Sequence, residues 1–366
     1  IEDAKKAVDA AEGAFQSWAK VSPRDKSVIL RKAYELFSDR IEHFAELITL
    51  ENGKAYGDSK GEALYSAEFF RWYSEEAVRG IGQISHAPAT GARIVVQYKP
   101  IGISVLVTPW NYPAAMGTRK IAPAIAAGCP VIIKPASETP LTMLELMPLL
   151  EEAGVPKGLV SVLPSRNTSK LVDYLLHDSR VRLVSFTGST EVGRKLLKSA
   201  SDQVLKTSME LGGNAPLIVF DDANIDTAVD GCMVAKMRNL GEACTAANRI
   251  YVHEKIAEEF KNKLSKRMGS LKVGNGIDKS VDVGPLVNAE TRDKVEFFVK
   301  DAIEKGAELL VGGESIEGPG YYYPPTVLFK VPNNSECLND EIFGPVAAIQ
   351  TFVDNEEVQL DKILQD

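Results

Sequence analysis

Apolar and polar positions change rhythm along the chain. Over residues 1–80, "DAKKAVDAAEGAFQSWA" and "SPRDKSVILRKAYELFSDRIEHFAELITLENG" place apolar residues three and four apart, which predicts amphipathic helices, with Ser22-Pro23 as a helix start. "ARIVVQYKP", 92–100, then reads as a strand. From residue 101 five short runs are apolar throughout: "IGISVLVTP", "PVIIKPA", "GLVSVLP", "VRLVSFTG" and "APLIVF". Helical patterns separate them at about 114–128, 140–154, 167–179 and 190–200. Apolar strands alternating with helices predict a parallel sheet covered on both faces. A second β/α region is expected beyond residue 213, with a helix around 223–242 and a Gly/Pro-rich stretch near 305–325.

In such sheets ligands bind beyond the carboxyl ends of the strands. The polar tails "TPWN", "KPASE", "PSRN" and "FTGST" fall there, so a cofactor is expected beside them.

Composition narrows the classes. A chain of 366 residues exceeds one compact core and implies at least two domains. A net charge of -8 argues against nucleic acid and anionic membrane surfaces as partners. No apolar run approaches the ~20 residues needed to span a bilayer. Four scattered cysteines and four scattered histidines show no zinc-ligand spacing, so no metal is expected. A protein of this size with few cysteines suits a reducing compartment, hence the cytoplasm. The sequence begins without an initiator methionine, which leaves room for an upstream segment with a targeting signal.

Several residues could carry chemistry. In "RNLGEACTAANRI" the thiol of Cys244 lies among small and polar residues, whereas Cys129 and Cys232 sit in apolar runs. A thiol there is a nucleophile or a filler. Asn111, between two prolines in "VTPWNYP", caps a turn or donates to an oxyanion. Lys134 in "IIKPASETP" snorkels to solvent or meets a ribose or phosphate. Gly188, Ser189 and Gly193 in "FTGSTEVGRK" build a helix N-terminus suited to phosphate, although neither GxGxxG nor a P-loop is present. Glu210 in "MELGGNAP" is a surface carboxylate or, in an apolar setting with a raised pKa, a general base.

Taken together, "PWN", "KPASETP", "FTGSTEVG", "MELGG", "GEACTAANR" and "EIFGPV" resemble, in order and in spacing, the marks of the aldehyde dehydrogenase superfamily. The resemblance implies an α/β fold with two Rossmann-like parallel-sheet domains plus an oligomerisation arm. Residues 1–80 and 101–212 would form the NAD(P)-binding domain, 81–100 the arm, and 213–366 the catalytic domain. It further implies that Cys244 attacks an aldehyde to give a thiohemiacetal, that Asn111 and the Cys244 N–H hold the oxyanion, and that hydride transfer leaves a thioester. Glu210 would activate the hydrolytic water. Lys134 would meet the adenosine ribose, Ser189 the pyrophosphate, Trp110 the cofactor channel, and Glu341 the nicotinamide ribose, with Phe343 beside the ring.

NAD-preferring members carry Glu three residues after this lysine, where here Ser137 stands. Its small neutral side chain leaves Lys134 free to pair with a 2′-phosphate, so NADP is expected over NAD, with Glu138 as a competing neighbour. Arg119 and Arg238 match positions that bind the substrate carboxylate in succinate-semialdehyde dehydrogenases, and "PAAMGTRK" resembles that branch. The substrate expected is therefore succinate semialdehyde. Another semialdehyde, an aliphatic aldehyde, or a catalytically silent nucleotide-binding protein are the rivals. Ala246 stands where redox-regulated relatives carry a second cysteine. Glu242, if charged, would disfavour the Cys244 thiolate.

Family members continue for some tens of residues beyond "NEEVQLDKILQD". That region holds a late glycine-rich motif and a terminal strand of the usual dimer or tetramer.

Overall fold

In a computed structural model, which describes residues 1–89 and 91–353, the chain divides into two compact units. Unit 1 comprises 1–51 and 60–211; unit 2 comprises 52–59 and 212 onward. Residues 354–366, the end of the expected catalytic domain, lie outside the described residues.

The chain begins with helices α1 (Glu2–Trp18), α2 (Pro23–Ser38), α3 (Ile41–Asn52) and α4 (Tyr56–Glu76), which belong to unit 1 apart from residues 52–59. Ser22 accepts the Asp25 N–H at 3.1 Å and Pro23 opens α2, as the Ser-Pro pair predicts. Strands β1 (Gln83–His86) and β2 (Arg93–Val96) pair antiparallel, and all eight of their residues are exposed. There follow β3 (Ile103–Val107), α5 (Pro113–Ala127), β4 (Val131–Lys134), α6 (Leu141–Ala153), β5 (Val160–Val162), α7 (Thr168–His177), β6 (Val181–Gly188), α8 (Thr190–Ser201) and β7 (Lys206–Leu211). The sheet order is β5-β4-β3-β6-β7, parallel throughout.

Alternation across this sheet explains the uninterrupted apolar runs. Ile103, Val105, Val107 and Ile132 enter one core with α1 and α7, while Leu106, Val131 and Ile133 enter another with α2, α5 and α6.

Unit 2 holds β8 (Pro216–Val219), α9 (Ile225–Met237), β9 (Arg249–His253), α10 (Glu254–Gly269), α11 (Ala289–Glu304), β10 (Glu308–Val311), β11 (Thr326–Phe329), α12 (Glu336–Asn339) and β12 (Val346–Phe352). Its sheet runs β10-β11-β12-β9-β8, parallel except for the edge strand β10. Val327, Phe329, Ala347 and Ile349 pack with α9 and α10, and Leu328, Val346 and Ala348 pack with α11.

Three details differ from the sequence reading. "APLIVF" is the edge strand β8 of the second sheet, and the fifth strand of the first sheet is β7, whose residues alternate exposed and half-buried. Residues 52–59, inside the expected 1–80 segment, cluster with unit 2. There the Tyr56 N–H donates to Gly276 O at 2.9 Å, and Gly53, at φ +94°, packs on Pro285. The helix expected over 223–242 stops at Met237, because Asn239, Leu240 and Gly241 all adopt left-handed backbone (φ 53°, 61° and 74°). Among the described residues no helix is long and apolar enough to cross a membrane.

Candidate active site

In unit 2 the loop carrying Cys244 follows that left-handed turn. Consecutive non-glycine residues at positive φ are costly and persist only where surroundings over-determine them. Those surroundings are visible. The Asn239 amide donates to Glu242 O at 3.0 Å, and Glu242 N–H donates to Asn239 O at 2.9 Å. A Cβ on Gly241 would lie 2.3 Å from Gly344 O, so the "GEAC" and "IFGPV" stretches are locked backbone to backbone. Beneath the loop, Lys236 is fully buried and donates to Asn248 Oδ1 at 2.9 Å. Burial pushes its amine down to about 7.

Out of this rigid turn emerge Cys244 and Thr245, exposed between buried Ala243 and Ala246. Cys129, Cys232 and Cys337 are all buried, and burial pushes the Cys232 and Cys337 thiols up to about 12. Glu242 is buried too. Burial pushes its carboxyl up to about 8, against the opposing pull of Lys54 and the Val287 N–H, which favours its neutral form beside Cys244. Arg238 is not on α9 as expected. It opens the turn beyond the helix and donates to Thr245 Oγ1 at 3.3 Å, which puts an exposed guanidinium beside the residue following Cys244.

Glu341 also belongs to unit 2. Its Oε2 would lie 2.3 Å from a Cβ on Gly212, its Oε1 is buried with no hydrogen-bond partner, and Lys294 Nζ donates to its backbone O at 2.8 Å. Burial raises its carboxyl, opposed by Lys294, the Gly213 N–H and Lys236. Phe343 follows at φ 55°. Gly212 thus makes room for Glu341.

Unit 1 carries the other candidates at the carboxyl ends of its strands. Trp110 and the buried Asn111 lie between β3 and α5. Lys134 ends β4 and, rather than snorkelling, is 4% exposed; burial lowers its amine, opposed by Glu138. Ser137 is exposed and donates to Ser165 O at 3.0 Å, which ties the β4 and β5 loops together. Gly188 ends β6. Ser189 caps α8 by accepting the Val192 N–H at 3.4 Å. Gly193 is a packing glycine, since a Cβ there would lie 2.5 Å from Leu211 of β7.

Of the two settings open for Glu210, the structure shows the surface one. It stands on strand β7, exposed, and not in an apolar setting, because the alternation of that edge strand turns it away from the core. Sequence reasoning overlooked Lys120. Buried on α5, it donates to Ser185 Oγ at 2.6 Å; burial pushes its amine down to about 8, opposed by Glu210 and reinforced by Arg119. A lysine within an otherwise apolar helix is the signal that could have marked it. Arg119 donates to the Tyr65 hydroxyl, and its guanidinium lies over the rings of Tyr65 and Phe69 at 5.7 and 5.2 Å.

Residues 1–361 match the aldehyde dehydrogenase family, and the chain belongs to that family. It is 51% identical over 356 residues to a succinate-semialdehyde dehydrogenase of Paenarthrobacter nicotinovorans, covering 97% of this chain and 79% of that protein. It is 41% identical over 357 residues to the NADP(+)-dependent succinate-semialdehyde dehydrogenase GabD of Escherichia coli K12, covering 98% and 74%. The crystal structure of succinate-semialdehyde dehydrogenase from Burkholderia pseudomallei superposes with a TM-score of 0.97 at 39% identity, covering all of this chain and 75% of that one.

Proposed function

We propose that this protein oxidises succinate semialdehyde to succinate with NADP, in the cytoplasm, through a covalent Cys244 intermediate. The observation that carries the reading is the exposed thiol of Cys244 on a rigid loop, with the Arg238 guanidinium bonded to the adjacent Thr245. The names of the relatives support the substrate and the cofactor.

Each residue's part follows from its chemistry. The Cys244 thiolate adds to the aldehyde carbon, forming a thiohemiacetal, and the Asn111 amide N–H stabilises the oxyanion. Arg119 and Arg238 bind the distal carboxylate; the Tyr65–Phe69 shelf keeps Arg119 oriented before substrate arrives. Bound NADP supplies the acceptor for the hydride that leaves the carbon. Glu210 takes a proton from the water that attacks the resulting thioester, releasing succinate and the thiolate. Its exposure on β7 suits a base that must reach water.

The residues present fit the cofactor. The orphaned, buried Oε1 of Glu341 is an acceptor awaiting a donor, which a ribose hydroxyl provides. Lys134 and Ser137 offer a cation and a hydroxyl to a 2′-phosphate, with no carboxylate at position 137. Gly188 and Ser189 present the first turn of α8 to the pyrophosphate, with Trp110 and Phe343 flanking the channel. Unit 1, with Lys134, Ser137, Gly188 and Ser189, serves as the main cofactor-binding domain, and unit 2 carries the nucleophile Cys244. The exposed β1–β2 ribbon, with Ile84, Val95 and Val96 uncovered, serves as an arm that pairs with further copies in a homo-dimer or homo-tetramer.

The test is turnover of purified protein on succinate semialdehyde, glutarate semialdehyde and an aliphatic aldehyde, each with NADP and with NAD. The reading expects the highest kcat/KM for succinate semialdehyde with NADP. A folded protein without turnover on any pair would leave only a silent nucleotide-binding role.

A further inference from the structure

Two of the helices that follow sheet strands in unit 1 lack local caps. Helix α5 starts after Tyr112 and α6 after Pro140; neither preceding residue makes a side-chain cap, and neither first turn contains an acidic residue. Their free N–H groups are taken instead by carboxylates from the helical layer. Glu62, 2% exposed on α4, accepts from Ala114 N–H at 2.8 Å and Ala115 N–H at 3.2 Å. Glu51 on α3 accepts from Leu141 N–H at 2.6 Å, Thr142 N–H at 3.0 Å and the Thr142 hydroxyl. A carboxylate at a helix N-terminus is favourable twice over, through these bonds and through the helix dipole.

What the two carboxylates hold differs. The turn fixed by Glu62 lies directly after Trp110-Asn111-Tyr112-Pro113, whereas the turn fixed by Glu51 follows Lys134-Pro135-Ala136-Ser137. We propose that Glu62 is a positioning residue for oxidation: by anchoring the first turn of α5 from a remote helix, it sets the Asn111 amide at the oxyanion. The inference rests on the proposed role of Asn111. Pro113 at the first helical position has no N–H to donate, so Ala114 and Ala115 carry the first free donors, and Glu62 is bonded to both. Loss of that anchor lets the turn relax, and a misplacement of about 1 Å commonly costs on the order of 10²-fold in rate.

The experiment compares Glu62→Met, Glu62→Gln, Asn111→Ala and Glu62→Met/Asn111→Ala, measuring kcat, KM and the dissociation constant for NADP. Glu62→Met is expected to lower kcat by about tenfold to a hundredfold with NADP binding unchanged, and Glu62→Gln, which keeps an acceptor oxygen, to recover most of it. In the Asn111→Ala background Glu62→Met should lower kcat no further, because the group it positions is gone. Glu51→Met, whose turn follows Lys134 and Ser137 instead, should raise KM for NADP. If Glu62→Met does not fold, Glu62→Asp, which withdraws the carboxylate by one methylene, takes its place with the same expected pattern. Full kcat in the folded variant, or a loss that multiplies with that of Asn111→Ala, would overturn the proposal. An Asn111→Ala protein with undiminished kcat would instead overturn the oxyanion role on which it rests.

Discussion

The carboxylate of Glu341 occupies the space that a side chain on Gly212 would fill, with Oε2 only 2.3 Å from where that Cβ would stand. Gly212 and Glu341, 129 positions apart, are therefore close neighbours within unit 2. Gly212→Ala should push the carboxylate aside and so disturb the hold on the cofactor ribose proposed for it. The expected result is a KM for NADP raised about tenfold, equivalent to ~1.4 kcal/mol, with little change in thermal stability. Steady-state kinetics against NADP, beside a melting curve, checks it.

The two arginines should separate charge recognition from chemistry. Arg119→Ala and Arg238→Ala are each expected to raise KM for succinate semialdehyde about tenfold to a hundredfold, the range for a hydrogen bond to a charged group. Their KM for an uncharged aldehyde of similar length should hardly move. Equal losses on both substrates would remove the carboxylate clamp from the account.

On the proposed reading, cofactor preference turns on Ser137. A carboxylate placed there confronts the 2′-phosphate, and like charges brought together at a binding surface cost several kcal/mol. Ser137→Glu should raise KM for NADP about 10²-fold while KM for NAD stays or falls, so the kcat/KM ratio inverts. An unchanged ratio would mean that 2′-phosphate recognition lies elsewhere.

Lys120 predicts a pH dependence. Burial holds its amine down to about 8, and Lys120→Met removes that titrating group. The folded pKa lies below the unfolded value of 10.5, so between about 8 and 10.5 the unfolded chain binds more protons and the fold gains stability as pH rises. Below about 8 the burial cost is present in full. Chemical denaturation of the parent protein and Lys120→Met at several pH values tests this: the rise over that window should be present in the first and absent from the second.

How far this was legible in the residues depends on where each lies. Strands β3, β4 and β6 stand where the apolar runs predict them, because interior strands of a covered parallel sheet bury both faces; the edge strand β5 also falls within its run. Strand β7 was hidden by its own alternation of Lys206, Ser208 and Glu210 with Thr207, Met209 and Leu211, which reads as a polar stretch. The same alternation leaves Glu210 exposed, the surface-carboxylate alternative of the two open for it. The end of α9 escaped because Asn239 and Leu240 enter left-handed backbone that only Gly241 advertises. Glu62 and Glu51 left no local trace at all, since the helices they cap lie far along the chain. Cys244, by contrast, stood out by its neighbours, and it is the exposed thiol.

The most direct test of the central claim is to trap the covalent intermediate. Glu210→Gln, mixed with succinate semialdehyde and NADP and quenched after one turnover, should show a stoichiometric burst of NADPH and one succinyl group on the peptide containing Cys244, and none on the peptides of Cys129, Cys232 or Cys337. An unmodified Cys244 in folded protein, with no burst, would contradict the account.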